Sequence, residues 1–112
     1  MKKEDKKEKL IGEATAEQIL KWKKEHTFIY PQTVVDPDGN KHIAYIRALD
    51  ETTIEAAEQT KETDIYEATN LIFNEGFVGG SDVIKSYFQF KIGLVQTITE
   101  ISKPSTFTAK KF

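Results

Sequence analysis

Two runs rich in β-branched and aromatic residues, Thr27 to Val35 and His42 to Leu49, flank the segment Asp36-Pro37-Asp38-Gly39-Asn40. This arrangement constrains the fold more than any other stretch. Proline and glycine suit a tight reversal, so the three pieces read as a β-hairpin. Pro31 has no N–H to give to a ladder, which assigns the first strand to a sheet edge or a bulge. A two-stranded hairpin alone is barely stable in water. Helices or a second subunit must cover it, and the patterns on both sides are helical. The expected fold class is α+β: a mainly helical small domain with an N-terminal helix, one β-hairpin and three following helices, the last one longest.

Thr15-Ala16-Glu17-Gln18 opens the first helix as a capping box, with Gln18 at the third helical position. That helix is expected from about Ala16 to Glu25. Ile19, Trp22 and Lys23 share a face, with Leu20 beside them. Lys21, Lys23 and Lys24 suit its negative pole. After the hairpin, Thr52 with Glu55 forms a cap pair for the next helix. Asp64 with Glu67 does the same for the one after, whose face is Ile65, Ala68, Leu71 and Ile72, widened by Tyr66 and Phe73. Asn74-Glu75-Gly76 is expected to close it, because glycine takes a left-handed stop without strain. Phe77-Val78-Gly79-Gly80-Ser81 then reads as a connector between helices. Ser81 or Asp82 caps the last helix, expected to reach Ile101 or Ser102 before Pro104 halts it.

This last helix carries two adjacent apolar lines. Ile84, Phe88, Ile92 and Val95 form one; Val83, Tyr87, Phe90, Leu94, Ile98 and Ile101 form the other. Such a sector is broader than the stripe a surface helix needs. Two readings stay open: a central helix contacted on several sides, or a helix that shares its sector between core and partner. Leaving several large apolar side chains uncovered, at about 1.5–3 kcal/mol each, would consume much of a small domain's stability of about 5–15 kcal/mol. Exposed apolar patches mark interaction sites. The expected protein-binding residues are Tyr87, Phe88, Phe90, Leu94, Ile98 and Ile101, together with Trp22. Gly93 interrupts this helix, and a close approach of another backbone would account for it.

At 112 residues the chain suits one domain. The expected organisation is a flexible N-terminal segment 1–13, a single α+β domain 14–102 and a flexible C-terminal tail 103–112. Sixteen basic residues against 18 acidic ones give a net charge of -2, which offers no general attraction to phosphate backbones. Acidic residues interrupt the lysine-rich start. Nucleic acid is therefore not an expected partner. The chain has no cysteine, which removes disulfides, thiolate catalysis and cysteine–zinc sites. Neither a signal peptide nor a segment approaching a membrane span is visible, and a cytoplasmic location is expected.

No constellation in the sequence singles out chemistry. His26 follows the lysine-rich helix end and reads as a solvent-facing or capping residue; His42 reads as an ordinary strand residue sharing a side with Ala44 and Ile46. Neither has metal-ligand spacing around it. Asp36, Asp38 and Asn40 alternate like a calcium loop, but the twelfth position is Arg47 where that loop needs glutamate. Gly76, Gly79 and Gly80 lack the lysine of a P-loop and the preceding strand of a dinucleotide fingerprint. The expectation is no enzyme, no cofactor and no metal.

Leu20-Lys21-Trp22-Lys23-Lys24 ends the first helix, and Ile43-Ala44-Tyr45-Ile46-Arg47 forms the return strand. With Leu71-Ile72-Phe73-Asn74-Glu75-Gly76 running into Phe77-Val78-Gly79-Gly80-Ser81-Asp82, the series resembles the small tail-assembly chaperones of long-tailed bacteriophages and prophages. The resemblance covers about residues 15 to 101. The lysine-rich start and the Thr/Lys/Phe-ending tail depart from the family pattern. The resemblance implies a chaperone that binds the tape-measure protein and keeps it soluble while tail tube protein polymerises around it. Self-association and no cofactor are implied with it. The alternatives are a structural tail component and a small homo-oligomeric protein-interaction adaptor without catalytic activity.

Overall fold

The computed structural model describes residues 10–103. Its elements run α1 (Ala16–His26), β1 (Tyr30–Val35), β2 (Lys41–Ile46), α2 (Glu51–Lys61), α3 (Ile65–Gly76), β3 (Phe77–Gly80), α4 (Asp82–Ser86) and α5 (Phe88–Ser102). The architecture is α+β with an N-terminal helix, a hairpin and later helices, α5 being the longest. Two elements differ from the expectation. The Phe77–Gly80 connector is a strand, so the sheet has three strands in the order β1-β2-β3. The last helix is also split at Tyr87, whose backbone is extended (φ -123°, ψ 121°).

The hairpin turn is built as the sequence implied. Asp36 and Asn40 close it through an N–H···O bond of 2.9 Å. Asp36 Oδ1 accepts from the backbone N–H of Asp38 and of Asn40, each at 2.9 Å. The closing bond fixes the alternation. Val34, Gln32 and Tyr30 turn their backbone groups toward β2, while Val35, Thr33 and Pro31 turn theirs outward. Pro31 thus sits on the free edge, lacking a donor, and its carbonyl accepts from Gln32 Nε2 at 2.8 Å. One end of the edge is thereby blunted against further pairing.

β2 is central and buried on both faces from His42 to Ile46. Ala44 and Ile46 point into the main core with Phe73, Ile84, Leu94 and Ile98 from the helices. Ile43 and Tyr45 point the other way. There the Trp22 ring of α1 lies 5.3 Å from that of Tyr45, and Ala14 N–H donates to the Tyr45 hydroxyl at 3.1 Å. Ile11, expected to be part of a flexible lead-in, joins the sheet: Ile11 N–H donates to Lys41 C=O (2.9 Å), and Ile43 N–H donates to Ile11 C=O (3.0 Å). Ile11 takes the edge of β2 where β3 stops. Residues 1–9 of the expected lead-in and all but Lys103 of the expected tail lie outside the described residues.

Local chemistry explains the helix starts. Both bonds of the Thr15–Gln18 capping box form. Asp50, and not Thr52, caps α2, accepting from Thr53 N–H. Asp64 caps α3, accepting from the N–H groups of Tyr66 and Glu67. α1 leaves through an unusual residue: Thr27 has φ 66° and ψ -61°, and Phe28 N–H bonds His26 C=O at 2.7 Å, a strained γ-turn for a β-branched side chain.

The expected left-handed stop at Gly76 does not occur; Gly76 is not among the glycines with positive φ. Glycine is needed there for space, since an added Cβ would lie 2.7 Å from Ile98 Cδ1. The split at Tyr87 has a packing logic. A straight helix cannot turn so broad an apolar sector onto one core. The change of direction lets Ile84 of α4 and Leu94 and Ile98 of α5 enter the same cluster.

Candidate functional site

The seven residues expected to bind protein do not form one surface. Leu94 and Ile98 are buried, and half-buried Ile101 packs against the same core; these three hold the domain together. Trp22 lies on the far face of the sheet, where its indole would meet any Cβ at Gly79 at 2.6 Å. Tyr87, Phe88 and Phe90 remain nearer the surface. Of these, Phe90 is half-buried against the core and meets exposed Tyr87 edge-on at 5.9 Å. Half-buried Phe88 contacts Tyr66 of α3 at 4.9 Å between ring centroids.

What the helices do leave open is a groove that none of the seven expected binding residues lines. α3 forms its floor, α2 one wall and α5 the other, enclosing about 650 Å³. Its apolar lining includes Ile65, Ile72, Ile92 and Val95. Small residues Ala68 and Thr69 keep the floor low, and Ala57 does the same on the α2 wall. Ile65 is 48% exposed and Ile92 42% exposed, high values for isoleucines on facing helices. Ile65 is the first helical residue after the Asp64 cap, and its side chain has the opening of the groove on one side. The sequence offered a weak signal for this site: α2 supplies mostly small or polar residues toward its neighbours, so two rows of large side chains on α3 and α5 face a gap.

A second cluster was not legible as such. His42 is buried and hydrogen-bonded at both ring nitrogens: Nδ1 to Ser81 Oγ at 2.9 Å and Nε2 to Asp36 Oδ2 at 2.9 Å. Ser81 Oγ in turn accepts from Val83 N–H at 3.3 Å. With a neutral ring, the satisfied assignment has Nε2–H donating to the carboxylate and the Ser81 hydroxyl donating to Nδ1. The bond from His42, followed by those from Asn40 and Asp38, holds the Asp36 carboxyl below the usual carboxylate range, and partial burial opposes this without prevailing.

Asp, His and Ser in a chain invite comparison with a nucleophilic triad. Here Ser81 is 2% exposed and its oxygen caps α4. A depression of about 250 Å³ nearby is lined by Asp36, Tyr87 and Phe90 but reached by neither His42 nor Ser81. In this arrangement Ser81 presents no open face to an electrophile. The cluster ties the hairpin turn, β2 and the start of α4 into one unit, which is a larger role than that of an ordinary strand histidine. His26 is half-buried, 3.6 Å from Glu25, as fits a helix-end residue.

Among the described residues no group of three or more His, Asp or Glu side chains is placed to hold a metal ion. None of the described helices is long and apolar enough to cross a membrane. Compared with protein families, curated proteins and solved structures, the chain matches none.

Proposed function

We propose that this is a non-catalytic binding protein whose groove between α2, α3 and α5 receives a helix of another chain. Following the resemblance of residues 15 to 101, the proposed role is a phage or prophage tail-assembly chaperone. It acts in the host cytoplasm, where the occupant is a segment of the tape-measure protein kept soluble until tail tube protein covers it.

The observation that carries the reading is the groove with its two half-exposed isoleucines. A helix about 10 Å across matches a trough walled by two helices, and anchors at helical spacing are the usual way such grooves are filled. Covering Ile65 and Ile92 would contribute about 1.5–3 kcal/mol for each large side chain fully buried.

The test is co-expression of the tagged protein with the proteins encoded beside it, followed by purification and identification of bound chains by mass. Recovery of a very long helical chain with the wild type, and its loss with Ile92→Glu, supports the proposal. Equal recovery by both proteins would remove the groove from the account.

A homo-oligomeric structural component or adaptor is the second reading. The outward-facing backbone of Thr33 and Val35, on the part of the β1 edge that Pro31 does not blunt, favours it. Light scattering on the purified protein separates the two, because an edge-paired oligomer would persist in Ile92→Glu.

A further inference from the structure

The near-neutral total charge hides a segregation along the chain. Between Asp50 and Lys103 there are ten acidic residues against four lysines. Four of the acids, Glu51, Glu55, Glu58 and Glu62, recur at three- and four-residue spacing, so they share one side of α2 and its last turn, and all are exposed. Glu58 lines the groove on the α2 wall and Glu100 lines it on the α5 wall. Two lysines oppose them: Lys61 lies 3.9 Å from Glu58, and Lys103 lies 3.7 Å from Glu100. Both are exposed pairs within a single helix or at its end, the kind that contributes little. Glu51, Glu55 and Glu62 have no ion-pair partner among the described residues. Lys61 also lines the α2 wall, and Glu51, Glu55 and Glu62 lie outside the lining on the adjoining exposed side of α2, so an acidic rail runs alongside the apolar groove.

We infer that the groove selects an amphipathic helix carrying lysine or arginine along the edge that meets α2. This rests on the proposed function, in which the groove holds another chain's helix, and adds which helices it accepts. The apolar lining supplies attraction for any amphipathic helix and cannot discriminate among them. The acidic rail does, because a helix with acidic flanks would set like charges side by side as its apolar face docked. Pairs at such a rim are solvent-screened, so their effect is on choice of partner and on speed of association more than on the grip itself.

The experiment uses the full chain and two fluorescent synthetic helices with the same leucine pattern, one with lysine and one with glutamate at the flanking positions, followed by anisotropy. At about 50 mM salt the lysine helix should bind roughly tenfold more tightly. That advantage should shrink at about 500 mM, where exposed charges are screened. The triple variant Glu55→Lys, Glu58→Lys, Glu62→Lys alters only exposed positions and should reverse the preference with an unchanged circular dichroism spectrum. Equal affinities for the two helices, or a preference unaltered in the triple variant, would overturn the charge inference and leave the groove as a binding site. Failure of both helices to bind would overturn the groove reading and this inference together. A dimer of the protein alone that the lysine helix dissociates would make a second copy the occupant, and the assignment to a different chain would fall.

Discussion

Gly12 and Gly80 beside the sheet and Gly93 on α5 face opposite surroundings. Around β2, a Cβ placed on Gly12 would lie 2.2 Å from Ser81 N, and one on Gly80 would lie 2.3 Å from Ile43 O. On α5, a Cβ at Gly93 would have nothing within 4 Å, and Ile92 beside it is half-exposed. The sheet side is fitted to itself at contact distance, with its buried polar atoms linked through Asp36, His42 and Ser81. The groove side stops short, with apolar rows on α3 and α5 and no chain between them. Close fitting marks what the fold needs for itself, and loose fitting shows where stability was not the constraint on sequence.

The comparison breaks most easily at Gly80. Its φ of 133° is one that side chains rarely adopt, and the obstructing atom is a backbone carbonyl that cannot swing aside. Gly80→Ala is expected to cost more than about 3 kcal/mol, read as a collapse of the thermal transition in circular dichroism. A variant melting within a few degrees of the wild type would show that the sheet side yields more than its distances imply.

Next in size is His42→Ala, expected to cost about 2–4 kcal/mol in urea titration, because it opens a cavity and leaves Ser81 without its buried partner. It also carries a pH signature. Asp36 is depressed from its ordinary 3.8, first by His42. Its contribution to stability is therefore complete above the unfolded value and drains away as pH falls through the lower folded one. Without His42 the Asp36 carboxyl should titrate closer to 3.8 by carbon-detected NMR, and the acid limb of stability should flatten below pH 4. An unmoved Asp36 titration would mean that the turn's N–H groups alone hold it.

How far the sequence foretold these two sides differs as well. The capping box at Thr15, the Asp64 cap, the turn at Asp36 and the edge position of Pro31 depend on neighbours in sequence, and all are present. Phe77–Gly80 reads as a connector because two glycines in a row signal a turn locally. They form a strand because Trp22 and Ile43 come from elsewhere to occupy the space that side chains would take. The break at Tyr87 has no glycine or proline to announce it. The His42 cluster joins residues six and 39 positions apart, beyond the reach of spacing rules. Within the broad sector of the last helix, periodicity grouped Leu94 and Ile98 with Tyr87 and Phe90. Which of them the core absorbs depends on α2, α3 and the kink, none of which leaves a mark in that segment.

A substitution inside the groove should invert the pattern seen at Gly80. Ile92→Glu removes an isoleucine that is already 42% exposed, so the loss of stability is expected to stay within about 1 kcal/mol. Binding of a helical partner should fall at least tenfold, because a carboxylate would be buried without a mate at the centre of the contact. Stability and binding measured on the same preparation decide it. If Ile92→Glu unfolds the protein, the groove side is as closely fitted as the sheet side and the contrast fails.

Gly93→Ala is the smallest change and the sharpest. α5 gives up roughly 0.5–1 kcal/mol by carrying glycine where alanine would serve, and the described structure offers no atom that a methyl group would strike. α5 runs unbroken from Phe88 to Ser102 around Gly93, so the substitution has no break to disturb. The variant should therefore melt a few degrees higher in the absence of any partner. Two outcomes follow for the comparison once a partner helix is supplied. Unchanged affinity would make Gly93 a plain loss of helix stability on an open surface. Weaker binding, from a protein that is itself more stable, would mean that another chain comes as close to Gly93 as Ile43 comes to Gly80, completing outside this chain the fit that the sheet side completes within it.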